Sequence, residues 1–247
     1  MEPALAGRSQ RCVKLRILPT ADKAALAAAD HIAELARGAV EARRAFTLAL
    51  SGGSTPLPMF DRLVTADLPW PHTHVFQTDE RVAPPGDADR NLTDLDEHLL
   101  SKVPLPEDGR HPMPVDRGDI AAAAAAYERT LRRVAGLPPV LDVVHLGLGA
   151  DGHTASLVPG DRVVNVSDRE VAFTEAYQGR RRMTLTVPAL SRARNLVWLV
   201  CGSAKAGAVL RLLIADPAIP AGRIQLDRAI LFVDQDAAAL LEADQLP

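Results

Sequence analysis

Short apolar runs alternate with segments of helical periodicity along nearly the whole chain, and this restricts the fold more than any other feature of the sequence. Strand-like runs fall at 14–19, 45–53, 72–80, 141–149, 169–176, 183–190, 195–202 and 229–234. Helical patterns fall between them: 22–44, Thr55 to Val64 with Thr55 as cap and Pro56 in the first turn, 91–101, 120–136, 203–216 and 235–243. Residues 102–119 are Pro-rich and read as irregular. In the segment 120–136, Ala124, Tyr127, Leu131 and Val134 share a face, so its alanine run reads as a closely packed ordinary helix ending at Gly136. Strands alternating with helices predict an α/β fold, a mainly parallel sheet with helices on both faces. No repeat or linker interrupts the pattern, so residues 1–247 are expected to form a single domain. In such sheets ligands collect beyond the carboxyl ends of strands, which directs attention to the polar residues there.

At 47% hydrophobic residues the chain can bury a core, and with only 4% aromatics Leu, Val, Ile and Ala must fill it. The net charge of -3, from 28 basic and 31 acidic side chains, excludes a nucleic-acid footprint and leaves any anionic ligand to a local cluster of cations. Two cysteines, Cys12 and Cys201, make neither a disulfide scaffold nor a Cys-based zinc site. The first residues lack the apolar stretch of a signal peptide and no run approaches a membrane span, so a cytoplasmic protein without a membrane partner is expected. The sequence fixes no oligomeric state.

Four stretches carry candidate chemistry. Ser51-Gly52-Gly53-Ser54-Thr55-Pro56 links a strand to a helix, and its glycines and the helix start would suit a phosphate cradle; the alternative is a capped tight turn. It lacks the lysine of a nucleoside-triphosphate loop. Asp79-Glu80-Arg81 ends the third strand. There Arg81 could hold an anion while the carboxylates orient it or bind sugar hydroxyls, the alternative being a solvated ion pair.

Residues 142–160, DVVHLGLGADGHTASLVPG, set Asp151 and His153 one residue apart after a glycine-rich strand end. Gly147–Gly152 fits a dinucleotide fingerprint in outline, but the residues about 20 further on lie in a new strand, which argues against it. A neutral imidazole is the natural water-activating base near pH 7, and a carboxylate beside it fixes its tautomer. The alternative is a hydrogen-bonded histidine in a turn. The other histidines (His31, His72, His74, His98, His111 and His145) are scattered and read as surface or structural, so no metal site is expected. Finally, Lys205 at a helix start opposes the macrodipole, which points to a nearby anion, and of Arg180, Arg181 and Arg182 the last, next to the strand, is best placed to face a site.

Taken in order, LALSGGSTP, DERVAP…N, GLGADGHTASLVPG, RRMTLTVPAL and VCGSAKA resemble the glucosamine-6-phosphate isomerase/6-phosphogluconolactonase family over nearly the whole chain. The resemblance implies a Rossmann-like fold and no cofactor. It implies hydrolysis of a small phosphorylated sugar lactone, 6-phospho-D-glucono-1,5-lactone, to 6-phospho-D-gluconate by His-activated water, in the second step of the oxidative pentose phosphate pathway. It assigns Asp151 and His153 as the catalytic pair. It assigns Ser51, Gly52, Gly53, Arg81, Asn91, Arg182 and Lys205 to the phosphate and substrate. Arg90, Val158 and Leu231 stand where the family often has Ser, Phe and Trp. The deaminase branch of the family typically reads Asp-Glu-Tyr at the carboxylate motif and carries a Glu soon after its histidine; here Arg81 and Thr154-Ala155-Ser156-Leu157 stand instead. A non-catalytic sugar-phosphate sensor would need a DNA-binding module, and no basic helix-turn-helix is present in the pattern.

Overall fold

The computed structural model describes residues 13–242; Cys12, the rest of the N-terminal stretch, and Ala243 at the end of the last expected helix lie outside them. The chain opens with β1 (Lys14–Leu18) and α1 (Ala21–Arg43). Thr20 caps α1 by accepting from the Lys23 amide, and Arg44 ends it in the left-handed conformation. β2 (Phe46–Leu50) and α2 (Leu57–Thr65) follow. Then come β3 (Thr73–Gln77), β4 (Asp79–Arg81), α3 (Asn91–His98), β5 (Arg110–His111) and α4 (Ile120–Ala135). β6 (Val143–Leu146), β7 (Val171–Phe173), β8 (Arg182–Leu185) and α5 (Val187–Ser191) lead to β9 (Asn195–Val200), α6 (Ala206–Leu213) and β10 (Ala229–Asp234).

Among the described residues, seven strands form one parallel sheet in the order β1-β10-β9-β6-β2-β3-β5. Its two faces are both dry. In β9, Leu196, Trp198 and Val200 enter one apolar cluster while Val197 and Leu199 enter the other. That period of two across a doubly covered sheet explains why the strands read as continuous apolar runs. The buried alanines of α1 let it lie close against one face, with α2 beside it. Tyr127 of α4 reaches under the other face, where its hydroxyl donates to the Gln77 carbonyl (3.0 Å) and accepts from the Gln77 amide (2.9 Å). No helix among the described residues is long and apolar enough to cross a membrane.

The expected α/β fold is thus present, with several local differences. The run 72–80 is two strands, not one. At Thr78 the chain leaves the large sheet: its amide still bonds Leu50 of β2 (3.0 Å), but its carbonyl receives the Leu185 amide of β8 (2.8 Å). β4 therefore belongs to a second, antiparallel sheet, β4-β8-β7. The run 183–190 is likewise divided, since Thr186 ends β8 and Pro188 suits the first turn of α5. α2 starts one residue later than expected, with Pro56 at the cap and no bond from Thr55. β5, within the segment read as irregular, pairs with β3 through Val75 and Phe76. The helix expected over 235–243 is a series of turns through 240, because the Asp234 carboxylate takes both the Gly202 and the Ala237 amides.

Candidate active site

The switch at Thr78 brings the carboxyl ends of β2, β6 and β9 against the small sheet, and a cleft of about 170 Å³ opens between them. Ser51, Gly52, Gly53, Arg81, Asn91, His153, Arg182 and Lys205 all line it; Asp151 stands behind His153.

The turn after β6 is built around the imidazole. The Gly149 amide donates to the His153 carbonyl (2.8 Å) and the Gly152 amide to the Gly149 carbonyl (2.9 Å). Asp151 Oδ1 lies 2.6 Å from His153 Nδ1 and also accepts the His153 amide at 3.1 Å. The carboxylate acceptor assigns the ring proton to Nδ1 and leaves the lone pair on Nε2. Burial raises the Asp151 carboxyl, but the bonds from the His153 amide and ring outweigh it and hold the group below the usual carboxylate range. A Cβ on Gly149 would sit 2.0 Å from His153 Nδ1, and one on Gly152 (φ 84°) would strike Ile219 at 2.5 Å. These two glycines make room for the pair and for its support. No long helix follows this turn; the next helical piece is a single 3-10 turn, Arg162–Asn165.

Arg81, Arg182 and Lys205 line the same cleft. None has a carboxylate partner among the described residues. Arg81 Nη1 donates to the Asp89 carbonyl (2.7 Å), and Arg182 Nη2 to Gln178 Oε1 (3.0 Å). Burial and then the adjacent Arg81 charge pull the Arg182 guanidinium below its ordinary value, outweighing the opposing charges of Asp79 and Asp89. Of the three consecutive arginines only Arg182 faces the cleft. Arg180 pairs with Asp87 and Asp89, and Arg181 lies over the Phe173 ring.

The Ser51–Pro56 turn lines the cleft at the start of α2, where unpaired amides favour an anion. The Ser51 hydroxyl itself turns inward, sharing a hydrogen bond with Thr78 Oγ1 (2.7 Å) and donating to the His145 carbonyl (3.1 Å). Gly52 is required by Asn91, whose Oδ1 would lie 2.1 Å from a Cβ there. Asn91 Nδ2 donates to the Asp79 carbonyl (2.9 Å).

The two carboxylates of the Asp79-Glu80 pair have separate duties that the sequence does not distinguish. Glu80 is fully buried and accepts the amides of Arg81, Asn91 and Leu92, each at 2.8 Å, and the Gln77 side chain at 2.9 Å. It thereby holds Arg81 and Asn91 on the same wall. Arg90, in place of the family's frequent Ser, lies 3.5 Å from this carboxylate. Asp79 lines the cleft and is held by the hydroxyls of Ser156 (2.6 Å) and Thr78 (3.2 Å). Cys201 lines the far wall; burial, then the Asp234 charge, pushes its thiol up to about 12, so it stays protonated.

Fold and site together define a class: a parallel α/β protein with an imidazole–carboxylate pair and, in the same cleft beyond its strand ends, a group of cations without salt-bridge partners among the described residues. Residues 19–232 match the family of glucosamine-6-phosphate isomerases/6-phosphogluconolactonase, and the chain belongs to that family. It is 38% identical over 207 residues to the 6-phosphogluconolactonase of Synechocystis, covering 81% of this chain and 86% of that protein. It is 36% identical over 242 residues to the 6-phosphogluconolactonase of Mycobacterium tuberculosis, covering 92% and 98%. The solved structure of 6-phosphogluconolactonase from Thermotoga maritima superposes with a TM-score of 0.81 at 27% identity, covering 90% of this chain and 99% of that one.

Proposed function

We propose that this protein hydrolyses 6-phospho-D-glucono-1,5-lactone to 6-phospho-D-gluconate, the second step of the oxidative pentose phosphate pathway, in the cytoplasm and without a cofactor. The observation that carries the reading is that His153, backed by Asp151, shares one cleft with Arg81, Arg182 and Lys205. A phosphate held by the three cations and the start of α2 fixes the far end of the sugar. Binding energy remote from the reacting carbon then orients the lactone carbonyl.

His153 Nε2 takes a proton from water while the water oxygen bonds to C1. The negative charge on the former carbonyl oxygen is met by backbone N–H groups of the glycine-rich turns. As the tetrahedral centre collapses, the bond from C1 to the ring oxygen breaks, and the imidazolium returns its proton to that oxygen, leaving a hydroxyl. The new carboxyl group ionises and releases one proton to solvent. Asp151 keeps the imidazole in the Nδ1–H tautomer and stabilises its charged form. An ester needs no covalent nucleophile for this sequence of steps.

Relatives named 6-phosphogluconolactonase support the substrate. The residues following His153 favour lactone opening over deamination: Thr154 Oγ1 donates to the Gly147 carbonyl (2.8 Å), Ser156 Oγ to Asp79, and the segment Thr154–Leu157 contains no second acid. The test is to generate the lactone in situ and follow acid release above the spontaneous rate, with glucosamine 6-phosphate as control. Acceleration with the lactone alone is expected. Ammonia release from the amino sugar without lactone turnover would overturn the reading.

A further inference from the structure

Tyr177 touches both ends of the proposed machinery without lining the cleft. It closes a two-residue turn with Arg180, each amide bonding the other's carbonyl at 2.9 and 3.2 Å. Gln178 (φ 51°) and Gly179 (φ 79°) supply the positive φ pair of a type I′ hairpin turn. The turn is moored on its far side by Arg180, whose guanidinium grips Asp87 and Asp89. From this fixed base the Tyr177 hydroxyl donates to Asp151 Oδ2 at 3.3 Å. The ring meets His153 edge-on, with centroids 5.9 Å apart, and carries the Arg182 guanidinium 4.9 Å from its centroid.

We infer that Tyr177 is a positioning residue that couples the Asp151–His153 pair to the phosphate-holding Arg182, an inference that rests on the reaction proposed above. Asp151 Oδ1 is already occupied by the His153 amide and ring. Tyr177 occupies the other oxygen and so stops the carboxylate from rotating away. The hydroxyl persists as a donor, because burial and the Asp151 charge raise its own titration. The ring does a second job: Arg182 has no carboxylate partner, and the aromatic face fixes its guanidinium without neutralising it.

The two jobs separate by substitution. Tyr177→Phe keeps the ring and loses the hydroxyl. It should lower kcat about ten-fold with KM within about two-fold. Tyr177→Leu loses both; product 6-phospho-D-gluconate, titrated by calorimetry, should bind about five-fold more weakly to it and unchanged to Tyr177→Phe. In an Asp151→Ala background, Tyr177→Phe should add no further loss. His153→Ala serves as the reference for the reaction itself. If that variant retains full kcat, the proposed reaction fails. If it is inactive while Tyr177→Phe matches the parent in kcat, or if Tyr177→Leu binds product as the parent does, the role of Tyr177 is overturned and the reaction stands.

Discussion

His145 and His153 stand at the two ends of one connection, the first inside β6 and the second beyond its carboxyl end. His145 is 1% exposed, packs edge-on against Phe60 at 6.4 Å, and neither ring nitrogen has a hydrogen-bond partner among the described residues. Burial pushes it down to about 3. The His153 side chain is 28% exposed, faces the cleft and has a carboxylate at 2.6 Å. The same side chain is therefore a buried core residue in one place and a cleft-facing imidazole with a carboxylate partner, the base of the proposed reaction, in the other. What separates them is the point where the strand stops and the glycines begin. Inside the strand both faces are covered by apolar layers; past its end the chain is free to curl a carboxylate back onto the ring.

The widest break in this comparison is His153→Ala. Removing the base should cost about 10²–10⁴ in kcat for the lactone while the thermal midpoint stays within a few degrees of the parent. An activity loss matched by unfolding would mean that His153, like its neighbour, is structural. Next in size is Gly149→Ala. The added methyl group would need the space of His153 Nδ1, 2.0 Å away, so the pair must shift. A displacement of that order should cost about 10² in kcat. A variant of unaltered kcat would show that the ring and carboxylate do not need this relative placement.

How much of this was readable beforehand differs between the two histidines and their surroundings. The dry strand around His145 is plain in Val143, Val144 and Leu146, because a run buried on both faces needs no partner to be recognised. The pairing of His153 with Asp151 is local, one residue apart, and equally legible. The break at Thr78 is not. Thr78 divides one strand-like run between two sheets only because Leu50 and Leu185, far away in sequence, bond its two sides. The three- and four-residue strands of the small sheet, the two-residue β5 and the inward turn of the Ser51 hydroxyl share that origin, since pairing across the chain and not local pattern creates them. Tyr177 and the hold of Glu80 on Asn91 escape the sequence for the same reason, although the carboxylates at 79 and 80 do read as orienting Arg81. A buried hub carboxylate and a hairpin tyrosine have no signature until Asn91 and Asp151 are brought to them.

The buried histidines should also make the fold acid-labile. His111 stacks on Phe76 and is driven down to about 4 by burial and then by the charges of His74 and Arg133. His145 is lower still. Both titrate in the unfolded chain near the ordinary value of 6.5. Between that value and about 4 the unfolded state binds protons that the folded state refuses, so stability is full above pH 6.5 and falls as the pH drops. Each histidine contributes a slope of about 1.4 kcal/mol per pH unit. Urea denaturation at a series of pH values measures it, and a flat profile from pH 7 to 5 would show that these rings accept protons in the folded protein.

Replacing His145 by Leu sharpens the comparison by the smallest step. The ring bonds nothing that the described residues offer, so an apolar side chain of similar size loses no hydrogen bond and no longer buries two unpaired nitrogens. The Ser51 hydroxyl bonds the backbone carbonyl at this position, not the ring, so the cleft wall is kept. His145→Leu should therefore raise stability at pH 7 by about 1 kcal/mol and halve the acid slope shared with His111. The gain is held to that size by the different shape of leucine among fitted neighbours. Turnover should stay within about two-fold of the parent, since an imidazole inside the strand takes no part in chemistry done eight residues further along. A large loss of turnover with the fold intact would put His145 in communication with the cleft and erase the distinction between the two rings.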